Sequence, residues 1–244
     1  MGLVYVVTGA TGGLGVEFIK QLSKRGDTVI ACARNTEKSE ELKALIDGKT
    51  VHAVTLDTVN VDSVKQAAKQ IQQIAPEGID VLINNSGAYG ARGHDIMHNP
   101  ASNYIQAFET NVGGTSNVTQ ALVPLLRERS TRVIVNISSI MGSIDLNSVR
   151  GGSPELKKAF ADSTAYRVSK TAENMLTREF AAYLDEEDFV VIAMHPGWVQ
   201  TSMGGDQAPT TPEQSISGML SVIDKRSKDM NGTFVTFEGE SIPW

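Results

Sequence analysis

The 244-residue chain is predicted to be an α/β protein: a single doubly wound domain, residues 1–244, built on a seven-stranded parallel sheet. Three observations predict it. Short runs rich in Val and Ile recur along the chain, longer stretches with helical spacing separate them, and the first run feeds a glycine-rich turn. The runs are nearly continuously apolar, as expected for strands covered on both faces. Gly, Pro and Ser clusters fall between the elements, with no internal repeat or low-complexity segment, so nothing reads as an interdomain linker.

The predicted strands are Leu3 to Val7, Thr28 to Cys32, Val51 to Thr55, Val81 to Asn84, Val133 to Ile137, Val190 to Met194 and Phe234 to Phe237. The first runs into Thr8-Gly9-Ala10-Thr11-Gly12-Gly13-Leu14-Gly15, with a helix expected from near Val16. Glycines there let the chain turn sharply, bring peptide N–H groups against a phosphate and let the helix pack closely on the sheet. This is the pyrophosphate seat of a Rossmann domain. The spacing Gly-x-x-x-Gly-x-Gly differs from the Gly-x-Gly-x-x-Gly of medium-chain and lactate-type dehydrogenases, and it lacks the Lys-Ser/Thr ending of nucleotide triphosphatases.

Arg34 follows the second strand, where an NAD site commonly carries a carboxylate for the ribose 2′-hydroxyl. A guanidinium there suits a 2′-phosphate instead, which argues for NADPH/NADP+ as cofactor. After the third strand, Asp57 and Thr58 lie where an adenine edge is expected. Asn84-Asn85-Ser86-Gly87 follows the fourth and suits both a turn and a ligand crevice. His94 and His98 stand four apart in a segment holding Gly93 and Pro100. That composition reads as a loop, a third ligand is not evident, and no metal site is expected.

The stretch Ala101 to Glu128 has helical spacing, but Asn111 and Gly113-Gly114 weaken it, and a polar break there invites a bound water. The fifth strand delivers Ser138 and Ser139 at its carboxyl end. The long segment Ser143 to Thr164, with Gly151-Gly152-Ser153-Pro154 and a short charged helix, lies where it can cover the site. The sixth strand ends in His195-Pro196-Gly197-Trp198, whose indole is either core packing or a site aromatic. Ser202 to Thr211 has the composition of a mobile lid, and a helix is expected from Pro212 to Lys225.

Tyr166 and Lys170, four apart in a helical pattern, project from one face. A free phenol ionises near pH ~10, and a neighbouring cation favours the phenolate, so the pair is suited to proton transfer. Alone it is a weak signal, because Tyr-x-x-x-Lys also arises by chance.

Composition narrows the partners. With 22 basic and 28 acidic residues the net charge is −6, with no block of basic residues, which disfavours nucleic acid and anionic membrane and favours a small ligand. A single cysteine, Cys32, sits in an apolar run and is expected to be a buried, inert thiol in a reducing compartment. No apolar run approaches membrane-spanning length and the first strand leaves no room for a signal peptide, so a cytoplasmic protein is expected.

Taken together, Thr8 to Gly15, Asn84 to Gly87, Asn111, Ser139, Tyr166 with Lys170, and Pro196-Gly197 resemble, in this order, the classical short-chain dehydrogenase/reductases over essentially the whole chain. Asn136 to Ser143, His195 to Gly205 and the closing Phe234 to Trp244 look most like the sniffer-type carbonyl reductases and C-factor-like proteins. The resemblance implies hydride transfer from NADPH to the carbonyl of a ketone, aldehyde or dicarbonyl. Tyr166 would give the proton, Lys170 would lower the tyrosine pKa and bind the nicotinamide ribose, Ser139 would hold the carbonyl oxygen, and Asn111 would fix a water. Carried over as cofactor contacts are Gly9, Thr11, Gly12, Gly13, Leu14, Arg34, Asp57, Thr58, Asn85, Tyr166, Lys170, Val199 and Thr201. Family members pair through the helices near Asn111 and Tyr166, which implies a homodimer or homotetramer, although the insertion at 143–164 lies close to that surface.

Three departures bear on this. Gly12 is not the basic residue that often supports NADP in this loop, so Arg34 carries most of that inference. Ser86 replaces the commoner alanine, and Ser139 and Tyr166 stand 27 positions apart, longer than usual for the family, so substrate preference does not carry over. A non-catalytic NADP(H)-binding redox sensor or regulator is the alternative, and it would be expected to lose the proton-transfer residues. A nucleotide-sugar epimerase would usually have a larger carboxyl-terminal region.

Overall fold

The computed structural model describes residues 2–147 and 163–244. Its sheet comprises β1 (Val4–Thr8), β2 (Thr28–Ala33), β3 (Val51–Thr55), β4 (Val81–Asn84), β5 (Val133–Ile137), β6 (Val190–His195) and β7 (Phe234–Thr236). Their order is β3-β2-β1-β4-β5-β6-β7, and every pairing is parallel. The order reverses between β1 and β4, so a crevice opens beyond their carboxyl ends, where doubly wound sheets bind their ligands.

Helices α1 (Gly13–Lys24), α2 (Glu40–Leu45), α3 (Val61–Ile74), α4 (Ala101–Phe108), α5 (Thr115–Arg127), α6 (Thr164–Tyr183) and α7 (Pro212–Asp224) accompany the strands. Alternate residues of β1 serve the two faces. Tyr5 and Val7 pack with Phe18, Ile19 and Leu22 of α1 and Ile216 and Met219 of α7. Val4 and Val6 pack with Val64 and Ile71 of α3 and Val118 and Leu122 of α5. Burying each such side chain contributes roughly 1.5–3 kcal/mol, which explains why the strands read as apolar runs without alternation. Cys32 lies in the second cluster at 0% exposure, and burial pushes its thiol up to about 12. No helix among the described residues is long and apolar enough to cross a membrane.

Three local differences from the sequence expectation have physical causes. Helix α1 begins at Gly13, inside the glycine turn rather than near Val16. A Cβ on Gly15 would lie 2.1 Å from the Gly9 carbonyl oxygen, so only glycine lets the first turn press so closely on the strand end. The stretch Ala101 to Glu128 is interrupted by a π-helical turn, Glu109–Gly114, that contains Asn111. There a Cβ on Gly114 would meet the Thr58 hydroxyl at 2.6 Å. Helix α7 ends at Asp224; its start is fixed by Pro212 in the first turn and a reciprocal capping box between Thr211 and Gln214. Of the expected cover at 143–164, residues 148–162 lie outside the described residues, and with them Gly151 to Pro154 and the charged helix.

Candidate active site

The crevice is a cavity of about 210 Å³ with the glycine turn on one side and Tyr166 and Lys170 on the other. Each wall is set by a strand end. After β1, Gly9 takes a left-handed φ of 67°, and the turn is locked to the end of β4. Thr8 Oγ1 accepts the N–H groups of Asn85 and Ser86 at 3.0 and 2.9 Å, while Asn85 Nδ2 donates to Thr8 O at 2.9 Å. Helix α1 has Gly12 as its N-cap and no side chain capping it, so its first N–H groups stay available to an anion. Gly12 and Gly13 are exposed and line the cavity with Leu14.

After β5 the two serines separate. Ser138 spends its hydroxyl on Asn174 Oδ1 at 2.5 Å. Ser139 accepts the Met141 N–H at 3.2 Å, and its hydroxyl pulls the Tyr166 phenol toward a lower pKa. A Cβ on Gly142 would lie 2.8 Å from the backbone of Lys170, so this glycine lets the serine turn close on α6. Tyr166 is buried, and its ring stacks on Tyr89 with centroids 4.5 Å apart and planes 12° apart. Arg92 covers the other face of Tyr89 at 4.1 Å and donates to Met203 O at 2.8 Å, joining the loops after β4 and β6.

Lys170 is also buried. Its Nζ donates to Ile137 O at 2.7 Å, contacts Glu173 Oε2 at 2.5 Å and lies 5.8 Å from the Tyr166 ring centroid. Burial works against its charge, but Glu173 and then Tyr166 hold its pKa above the ordinary value. Tyr166 departs from the simple expectation of a lowered phenol pKa. Burial raises it and Lys170 pulls it down, but Glu173 raises it again, and the balance stays above the usual phenol value.

Asn111 is fully buried, and both its N–H groups are used. Oδ1 accepts the Ala88 N–H at 2.8 Å, and Nδ2 donates to Ala88 O at 2.9 Å and Ser169 Oγ at 2.8 Å. A water expected there can use the second lone pair of Oδ1 or the backbone of the π turn, where the helical bonding pattern shifts.

Of the remaining predicted positions Thr201 lines the cavity, and the others stand outside its lining. Arg34 is exposed just beyond β2. Asp57 is half-buried, with Oδ1 accepting the Val59 N–H, and Thr58 is buried against Gly114. Thr11 is half-buried in the glycine turn. Val199 has a buried side chain, so only its backbone can face a ligand. Thr201 closes over Gly13, where a Cβ would meet its Cγ2 at 3.2 Å. Trp198 is not core: it is 56% exposed, and its Nε1 donates to Gly204 O at 2.7 Å, bracing the Ser202–Thr211 loop. His98 is turned to Asp95, Nδ1 to Oδ1 at 2.8 Å.

Glu173, Tyr89 and Arg92 did not emerge from sequence reasoning as site groups. Among these a signal existed only for Glu173, which continues the buried stripe Tyr166, Ser169, Lys170, Thr177 of α6 as a charged residue on a core-facing side.

A parallel doubly wound sheet, with a glycine turn after its first strand and a polar crevice at its switch point, defines the class of dinucleotide-dependent oxidoreductases. A family model for short chain dehydrogenase matches residues 3–212. An uncharacterized oxidoreductase of Schizosaccharomyces pombe is 33% identical over 260 residues, covering 99% of this chain and 98% of its own. The C-signal protein of Myxococcus xanthus is 37% identical over 169 residues, covering 68% of this chain and 93% of its own. Among solved structures, the carbonyl reductase Sniffer of D. melanogaster superposes with a TM-score of 0.90 at 26% identity, with both chains covered in full. An NADPH-bound carbonyl reductase from chicken fatty liver gives 0.87 at 29% identity, covering 100% of this chain and 99% of its own. The chain belongs to the short chain dehydrogenase family and is an oxidoreductase.

Proposed function

We propose that the protein is an NADPH-dependent carbonyl reductase acting on ketones, aldehydes or dicarbonyls, with Ser139, Tyr166, Lys170 and Asn111 as its proton relay and residues 1–244 working as one domain. The observation that carries this reading is the meeting of the Tyr166 phenol and the Lys170 ammonium on the wall of a cleft whose other wall is the glycine turn, with the Ser139 hydroxyl acting on that phenol from just behind the lining. The residues fit a dinucleotide. The uncapped start of α1 offers N–H groups to a pyrophosphate, and Gly12 leaves open space where any other residue would carry a Cβ. Gly9, Thr11, Gly13, Leu14, Asn85, Val199 and Thr201 would frame it, Asp57 and Thr58 the adenine end, and exposed Arg34 would meet a 2′-phosphate. The chicken carbonyl reductase, a structural neighbour with bound NADPH, supports the same choice.

When bound, NADPH supplies the hydride. The protein's part is to orient the carbonyl and hold the proton. Ser139 and Tyr166 converge as donors on the carbonyl oxygen, where negative charge develops, and Tyr166 releases its proton there. Lys170, clamped between Ile137 O and Glu173, is held at the base of the cleft to bind the ribose.

The test is loss of NADPH absorbance with aromatic ketones, aldehydes and dicarbonyls, repeated with Tyr166→Phe. Turnover is expected to fall about a hundredfold or more in the variant while NADPH still binds. NADPH binding with no turnover across the panel in the wild type would instead support a sensor.

A further inference from the structure

The described residues include three fully or nearly buried carboxylates: Asp27, Asp80 and Glu173. Two have an evident role in the fold. Asp27 accepts the Leu3 N–H at 3.0 Å and Asp80 the Val4 N–H at 2.9 Å, so both anchor the entry to β1. Among the described residues, Glu173 accepts no such backbone bond. Its Oε2 meets Lys170 Nζ at 2.5 Å, and its Oε1 has only the Thr115 hydroxyl at a long 3.5 Å. Burying a carboxylate costs several kcal/mol unless a partner offsets it, and here the partner is the ammonium beside Tyr166.

We propose that Glu173 is a positioning residue for the carbonyl reduction proposed above: it fixes the Lys170 ammonium at the base of the cleft and cancels much of its field at Tyr166, so that Tyr166 remains a protonated donor. This rests on the reductase reading for its consequence in turnover. Reduction needs a phenol, and an unopposed ammonium at this position would favour phenolate. With Glu173 in place, the two charges act on the ring as a dipole, whose influence falls off faster than that of a single charge. Burial holds the Glu173 carboxyl above the ordinary carboxylate value, and Lys170, the charged group that acts on it, pulls it down through the 2.5 Å contact that favours its ionised form. On Tyr166, the titratable groups that act are Lys170 and Glu173 from its own helix and Tyr89 from the loop after β4. The other elements packed here contribute the uncharged Ser139 hydroxyl, Ile137 carbonyl and Thr115 hydroxyl, and the loop after β4 also brings the Arg92 guanidinium over Tyr89, one ring away from Tyr166.

The experiment compares wild type with Glu173→Gln, which keeps the shape and removes the charge. The first readout is kcat/KM for carbonyl reduction against pH at saturating NADPH. The basic limb is expected to move down by about one pH unit or more, so that alkaline activity drops about tenfold relative to wild type. Glu173→Asp, which restores the charge, is expected to return the limb toward wild type. A loss of activity equal at every pH, or a limb that does not move, would make Glu173 merely structural and overturn the proposal.

The second readout needs no turnover. Tyrosinate absorbance, as the difference between each protein and its Tyr166→Phe counterpart, follows Tyr166 alone. An earlier transition in Glu173→Gln supports the proposal and an unchanged one refutes it, even if no carbonyl is reduced and the reductase reading fails. Should Glu173→Gln not fold, wild type decides: its Tyr166 transition is expected at or above the ordinary phenol value of about 10, and one well below it overturns the proposal.

Discussion

Arg34 stands exposed just past β2, followed by Asn35, whose side chain is turned to the Glu37 N–H, so its guanidinium is available to a phosphate. Under the proposed function, Arg34→Asp replaces that attraction with repulsion of the 2′-phosphate and offers the ribose hydroxyl an acceptor. The ratio of kcat/KM for NADPH over NADH is expected to fall at least tenfold; an unchanged ratio would remove Arg34 from cofactor choice. The placement of such residues was legible from type and position: Arg34 follows a strand, and Tyr166 and Lys170 share a helix face, whereas Ser139 was preferred to its neighbour Ser138 only through the family resemblance. Glu173, Tyr89 and Arg92 were not legible, since their partners come from the folded packing. The same holds for Trp198, whose exposure depends on a loop carbonyl six residues away.

Among the elements, the glycine turn between β1 and α1 was legible in kind, because backbone geometry dictates the residue there, though β1 runs one residue later and α1 starts at Gly13 rather than near Val16. Gly15→Ala tests this. The added methyl would sit 2.1 Å from Gly9 O and 2.9 Å from Ala10 Cα, backbone atoms that cannot swing aside. A loss of about 1–3 kcal/mol in denaturant unfolding is expected, together with weakened dinucleotide binding as the turn is displaced. The π turn was half legible. Asn111 and Gly113-Gly114 announce a weakness, but not the extra residue per turn, which arises as Asn111 ties α4 and α5 to Ala88 and Ser169. The β3, β4 and β5 bounds match the sequence expectation because apolar runs end where polar turns begin.

Across the whole molecule, burial on both faces of the sheet sets how the fold responds to acid. His195 ends β6 half-buried, with its Nδ1 buried and without a hydrogen-bond partner among the described residues. Burial lowers its pKa from 6.5 to about 4. An unfolded chain therefore takes up a proton on His195 at a higher pH than the folded one does. Its contribution to stability is full above pH 6.5 and is lost as pH falls toward about 4. Unfolding free energies measured across that window are expected to decline in the wild type and to decline less in His195→Gln.

The sealed position of Cys32 has a practical corollary. A thiolate is the species that alkylating reagents attack, and a thiol at 0% exposure with a pKa of about 12 presents almost none at neutral pH. For maleimide chemistry the folded protein behaves as though it had no cysteine. A fluorophore attached through Ser202→Cys would report on the loop beside the cleft, against a silent background and with every native residue of the interior left intact.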